Sequence, residues 1–196
     1  CEYGGDKGIF GFGYLRAAYT AITNLVSNTG VVASDTAGVG TARSDLAACS
    51  YGGDKGIFGF GYEDSPRTAV TNLVSNAGVV ASDTAGVGTI RSSLAACEYG
   101  DDKAIFGFGT DASVSAVTNL VSNTGVVASD QAAVTGTARY ALAACSYGDD
   151  KGIFGYGRIH PNYHSMTNLV SNTGVVATDV TGVGTARAWL GACEYG

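Results

Sequence analysis

Leu46-Ala47-Ala48-Cys49-Ser50-Tyr51-Gly52-Gly53-Asp54-Lys55-Gly56-Ile57-Phe58-Gly59-Phe60-Gly61 is the stretch that decides the fold. Its first six residues are free of charge, and small or apolar apart from Ser50. Gly52-Gly53-Asp54-Lys55-Gly56 then supplies residues that tolerate positive φ and close a hairpin. Ile57-Phe58-Gly59-Phe60-Gly61 reads as an aromatic strand whose glycines suit close approach of another backbone.

Outward from this hairpin the pattern recurs. Cys1, Cys49, Cys97, Cys145 and Cys193 are spaced by 48 residues, and so are Arg43, Arg91, Arg139 and Arg187. Self-similarity at a period of ~40–50 residues marks a propeller or a modular array. In the second unit a loop of changing sequence leads to Val70-Thr71-Asn72-Leu73-Val74-Ser75, rich in β-branched residues. Asn76-Ala77-Gly78 makes a second turn, and Val79-Val80-Ala81-Ser82 reads as a fourth strand. Glycine interrupts every window long enough for a useful helix. The expectation is an all-β chain, a four-bladed β-propeller with four antiparallel strands per blade. It is one repeat domain over 1–196, in units 1–48, 49–96, 97–144 and 145–192, with 193–196 starting another. Cys1-Glu2-Tyr3-Gly4 and Cys193-Glu194-Tyr195-Gly196 match in phase, so the chain reads as a window of a longer periodic polypeptide. Ala-Ala-Cys is expected where blades converge on an axis, and the Phe residues where blades pack face to face.

The succession Arg91, Leu94-Ala95-Ala96, Tyr99-Gly100, Ile105-Phe106-Gly107 resembles the kelch repeat, and the likeness runs through all four units. Kelch units have an arginine, a small apolar strand, then a strand ending in glycines. The near-identity of the units is also similar to the tandem arrays of some phage fibre and tail proteins. These resemblances imply propeller blades and an extracellular or virion-associated place.

Bulk properties narrow the partners. Hydrophobic residues make up 45% and charged residues 14%, with 30 glycines against 2 prolines, which suits many tight turns. The net charge is −6 and the cations are scattered, whereas phosphate backbones are held by clustered ones; no nucleic-acid partner is expected. No apolar run approaches the ~20 residues of a membrane-spanning helix, so no membrane partner is expected either.

Two windows change between units while the rest stays. One follows each Gly-Phe-Gly, at Tyr14–Tyr19, Tyr62–Arg67, Thr110–Ser115 and Arg158–His164; the fourth of these follows Gly155-Tyr156-Gly157. The other is the pair after each arginine: Ser44-Asp45, Ser92-Ser93, Tyr140-Ala141 and Ala188-Trp189. Antiparallel pairing places both windows at the end of the hairpin away from its turn. Diversified loops on a fixed scaffold are a common way to build binding surfaces. The loops also carry residue types favoured at recognition hot spots. Candidate ligand contacts are Tyr14, Arg16, Tyr19, Tyr62, Arg67, Tyr140, Arg158, His160, Tyr163, His164 and Trp189, toward a glycan or protein surface. The alternative is a structural building block that self-associates into filaments through constant turns such as Gly53-Asp54-Lys55 and Asn76-Ala77-Gly78.

Catalytic chemistry is not expected, since no convergent set of His, Asp, Glu or Ser can be assembled from these motifs. Nor is a cofactor or metal. His160 and His164 are interrupted by Pro161 and read as an exposed loop pair, and the cysteines lack CxxC spacing and read as packing thiols. Asp54-Lys55 and its equivalents read as turn chemistry. Arg43, Arg91, Arg139 and Arg187 are read as structural, pairing with Asp35, Asp83, Asp130 or Asp179 to lock neighbouring blades. Asn24, Asn72, Asn119 and Asn168 are read as hydrogen-bonding pins.

Overall fold

The computed structural model describes residues 1–64, 66–131 and 136–194. Ser65 of the second varying loop, and Tyr195-Gly196 of the repeated tetrapeptide, lie outside the described residues. Among the described residues there are strands and turns and no helix. Each unit builds a three-stranded antiparallel sheet in sequence order. These are β1 (Glu2–Tyr3), β2 (Lys7–Leu15) and β3 (Ala18–Val26), then β4 (Ala47–Tyr51), β5 (Lys55–Gly59) and β6 (Thr71–Val74). The third sheet has β7 (Ala95–Tyr99), β8 (Lys103–Gly107) and β9 (Thr118–Val121). The fourth has β10 (Ala143–Tyr147), β11 (Lys151–Gly155) and β14 (Thr167–Val170), with a small hairpin β12 (Arg158–Ile159) and β13 (Asn162–Tyr163) at its tip.

The hairpin read from sequence forms as expected: Tyr51 pairs with Lys55 at the turn and Ala47 with Gly59 at the far end. The fourth segment differs from expectation. Val80 and Thr84 meet the third strand only through isolated bridges, to Val74 and Thr71. The reason is Asn72, whose side-chain amide donates to Ala81 O and to Asp83 between strand and segment. Asn24, Asn119 and Asn168 do the same in their units.

A bulge re-aims the aromatic strand. In the first unit the β2–β3 register shifts between Gly11 and Gly13, and Phe12 sits at φ 63°. Phe60, Phe108 and Tyr156 repeat this backbone, at φ 62°, 64° and 63°. Plain alternation would put Phe58 and Phe60 on one face. The bulge sends them to opposite faces. Phe58 packs back on Phe12 of the preceding unit, while Phe60 meets Phe106 of the following one.

Successive sheets pack through three core clusters, each combining the forward face of one unit with the rear face of the next. Cys49, Tyr51 and Ile57 thus bury against Leu94, Ala104, Phe106 and Val121. Neighbouring sheets come closest along their first strands, where the side chains are Ala and Cys, and are held apart further out by Ile and Phe. The sheets therefore fan out from their small-residue strands. The outer faces of the first and last units are open: Phe10 is 65% exposed where Phe58 is at 3% and Phe106 and Phe154 at 0%.

Candidate recognition face

The register that puts Lys55 at the turn puts Gly59, and hence both varying windows, at the other end of the sheet. Isolated bridges Ser44↔Tyr62, Ser92↔Thr110 and Tyr140↔Arg158 then join the pair window of one unit to the loop window of the next. The units are also linked there by backbone bonds, from Ser93 N to Asp45 O, Ala141 N to Ser93 O and Trp189 N to Ala141 O. The result is one continuous ridge across four units. In the first, third and fourth units the varying loop is the tip of a second hairpin, and in the second Tyr62 bridges Arg67. The hairpin is longest in the first unit, where Tyr14 pairs with Tyr19 and Leu15 with Ala18.

Three groups of the expected residues meet along the ridge. Tyr14 packs on Tyr19 at 5.1 Å, and Tyr19 on Tyr62 at 5.9 Å. Arg67 donates through Nε to Ser92 Oγ at 3.0 Å and stands 3.7 Å from the Asp111 carboxylate. Arg158 lies within 5.6 Å of the Tyr140, Tyr163 and Trp189 rings at once, and touches His160 Nδ1. Trp189 is 64% exposed and Tyr163 is also exposed. Arg16 stands at the tip of the first hairpin, exposed and apart from these groups. His164 turns away toward a cleft it shares with Asp179 and Met166, so the two histidines do not form a pair.

Between the second and third units the ridge holds an open polar basin of about 480 Å³, lined by Asp45, Tyr62, Arg67, Ser92, Thr110, Asp111 and Tyr140 among others. Asp45, Ser92, Ser93 and Asp111 line this basin without standing among the aromatic and cationic residues expected at the site, because they are small and polar. Their position inside the varying windows was the signal that could have found them.

Asp45, Ser93, Ala141 and Trp189 all adopt positive φ, between 51° and 54°. For a non-glycine residue this costs ~1–2 kcal/mol. Elsewhere the chain meets positive φ with glycine, as at Gly53 and Gly78, with aspartate, as at Asp101 and Asp149, or with the bulged aromatic residues. Here it keeps side chains, and different ones in each unit.

The remaining expected residues behave as scaffold. Arg43, Arg91 and Arg139 are fully buried, over Phe12, Phe60 and Phe108 at 4.3, 4.6 and 4.4 Å. Burial draws their guanidinium pKa down to about 10, against the pull of Asp83, Asp130 and Asp179 respectively. Each arginine thus faces the aspartate of the following unit: Arg91 is 3.7 Å from Asp130 and Arg139 is 4.0 Å from Asp179. Cys49 and Cys97 are buried thiols; burial, with Cys145 beside it, pushes Cys97 up to about 12. No cysteine is in a disulfide among the described residues, and among them no three His, Cys, Asp or Glu gather as metal ligands.

The constant end is used between units. Gly4 N, Gly52 N and Gly100 N donate to Asp54 O, Asp102 O and Asp150 O of the next unit. A Cβ on Gly78 would lie 2.8 Å from Leu25 and 2.9 Å from Tyr3. No protein-family model matches the chain, and no curated protein matches it.

Proposed function

We propose that the chain is a non-enzymatic recognition module whose varying ridge binds a glycan or protein surface, in an extracellular or virion-associated fibre. The observation that carries this reading is the retention of Asp45, Ser93, Ala141 and Trp189 at positive φ, where glycine would be less strained. Backbone strain clusters at functional sites, and of these diversified positions Asp45 and Trp189 are exposed, Ser93 is half-buried and Ala141 is buried. The polar basin flanked by Tyr62 and Tyr140 supplies hydrogen-bonding groups beside aromatic rings, the mixture found at ligand sites. In this reading each unit is a kelch-like propeller blade, and the four make an arc. The fan about the small-residue strands supports the blade, and the open outer faces support the arc.

The test is a glycan array, with a panel of host surface proteins beside it. The wild-type chain should bind a restricted set. Changing Trp189, Tyr140 and Tyr163 together to alanine should abolish that binding while far-UV circular dichroism stays unchanged. Binding that survives the triple change would remove the ridge as the site.

A further inference from the structure

The two ends of the stack are the separated halves of an interface that occurs three times inside it. Within the chain, the Phe58, Phe106 and Phe154 rings lie against Gly11, Gly59 and Gly107 of the preceding unit. A Cβ there would stand 3.1, 2.7 and 2.7 Å from the ring. The preceding unit's last segment adds an arginine over its own bulged aromatic ring and a threonine whose backbone N–H the following unit's aspartate accepts. Examples are Thr41 to Asp83, Thr89 to Asp130 and Thr137 to Asp179.

The last unit has the first half of this contact ready. Arg187 lies over the Tyr156 ring at 4.1 Å and donates to Thr185 O at 3.1 Å, as Arg91 does to Thr89 O. A Cβ on Gly155 would meet nothing closer than Thr167, at 3.4 Å. Above it is a largely apolar groove of about 250 Å³, lined by Ala143, Cys145, Ile153, Tyr156 and Leu190 among others. The first unit has the second half. Phe10 projects into solvent, and Asn24 already holds Asp35 at 2.9 Å, as Asn72 holds Asp83.

We propose that copies of this chain dock head to tail, with Phe10 of one copy in the groove over Gly155 of another and Asp35 accepting from Thr185. By the internal register, Gly191 and Ala192 then stand opposite Gly11 and Phe10 of the next copy. Those are positions that β1, covering only Glu2 and Tyr3, leaves unpaired. Cys193 and Glu194, equivalent in phase to Cys1 and Glu2, then give way to those residues of the incoming copy. The contact is heterologous, so addition continues until a ring closes or a filament grows. It is independent of what the varying ridge binds.

Sedimentation velocity over a concentration series, with Phe10→Asp and Gly155→Leu variants, tests this. Phe10 is exposed and Gly155 has room, so both variants should fold, as circular dichroism would verify. The unaltered chain should associate, and each variant should associate at least ~30-fold more weakly, the loss of a hot-spot contact. Mixed together, the variants should restore one intact contact and give a pair that grows no further. A wild-type chain that stays monomeric throughout, variants that associate as it does, or a mixture that fails to pair would each overturn the proposal.

Discussion

Replacing Arg91 by methionine should cost about 3 kcal/mol of stability, while the same change at Arg187 should cost under about 1 kcal/mol. Methionine fills much of the same volume, so the difference reports the guanidinium's contacts. Arg91 donates to Asn119 Oδ1 and Thr89 O, faces Asp130 and covers the Phe60 ring. Without it, buried Asn119 Oδ1 loses its donor, worth ~1–3 kcal/mol, and a desolvated cation–π contact of ~2 kcal/mol goes as well. Relief of the desolvation that draws the Arg91 pKa down to about 10 works in the opposite direction. Removing one member of a buried charged pair usually costs ~3–5 kcal/mol. Asp130 is partly exposed and keeps its bonds from Thr89 and Asn119, which places the estimate at the low end. Arg187 is exposed and, among the described residues, donates to Thr185 O and to no asparagine. Urea midpoints followed by far-UV circular dichroism and by Trp189 fluorescence would compare the two variants; stacked units need not unfold in one step, so the paired comparison carries the weight. Equal losses at Arg91 and Arg187, or a neutral Arg91→Met, would refute the idea that these arginines lock one unit to the next.

Gly107→Ala should destabilise by about 1–3 kcal/mol in thermal melts, because the new methyl would sit 2.7 Å from the Phe154 ring. Ala141→Gly should stabilise by about 1 kcal/mol, because it relieves a non-glycine residue held at φ 54°. Glu98 is raised to about 7 by desolvation, with Glu2, Glu194 and Asp102 adding like charge. Its folded form therefore holds a proton that the unfolded chain has released, so its contribution is complete below pH 4.5 and falls as pH rises through about 7; Glu98→Gln should flatten the urea midpoint over that window. Desolvation raises Asp83, Asp130 and Asp179, but hydrogen bonds from threonine and asparagine outweigh it and leave all three lowered. Stability should accordingly be lost as pH falls below the usual carboxylate range, and less so in Asp130→Asn.

Much of the architecture was legible because it is local. Gly52-Gly53-Asp54-Lys55-Gly56 has the chemistry of one kind of turn, and the antiparallel rule then fixes which windows share an end. What was not legible depends on backbone turns or on distant partners. The spacing of Phe58 and Phe60 implies one face, and only the positive φ at Phe60 separates them. Val79-Val80-Ala81-Ser82 has strand composition, yet the Asn72 side chain interposes and leaves isolated bridges. The arginine–aspartate pairing was readable as chemistry, but its direction, from one unit to the next, needed the structure. The candidate ridge followed from the varying windows, whereas the basin's small polar lining did not stand out among ordinary loop residues.

The same geometry explains why one end of each unit varies and the other does not. On the ridge, units are joined by backbone N–H and carbonyl groups, as between Ser93 and Asp45 or Trp189 and Ala141. Such bonds are indifferent to the side chains that project beyond them. At the turn end the backbone bonds are accompanied by contacts that depend on residue identity. Gly78, Gly125 and Gly174 lie against Tyr3, Tyr51 and Tyr99, so close that a Cβ would come within about 3 Å. Within each unit Asn76, Asn123 and Asn172 donate to Asp54, Asp102 and Asp150, the residues whose carbonyls accept from Gly4, Gly52 and Gly100 of the preceding unit. A change at the turn end must therefore be matched in the neighbouring unit, and a change on the ridge need not be. Variation collects where the contacts repeated in every unit are backbone bonds and the side-chain pairs, such as Arg67 with Asp111, differ from unit to unit, which is also where a binding surface can be altered without loosening the stack.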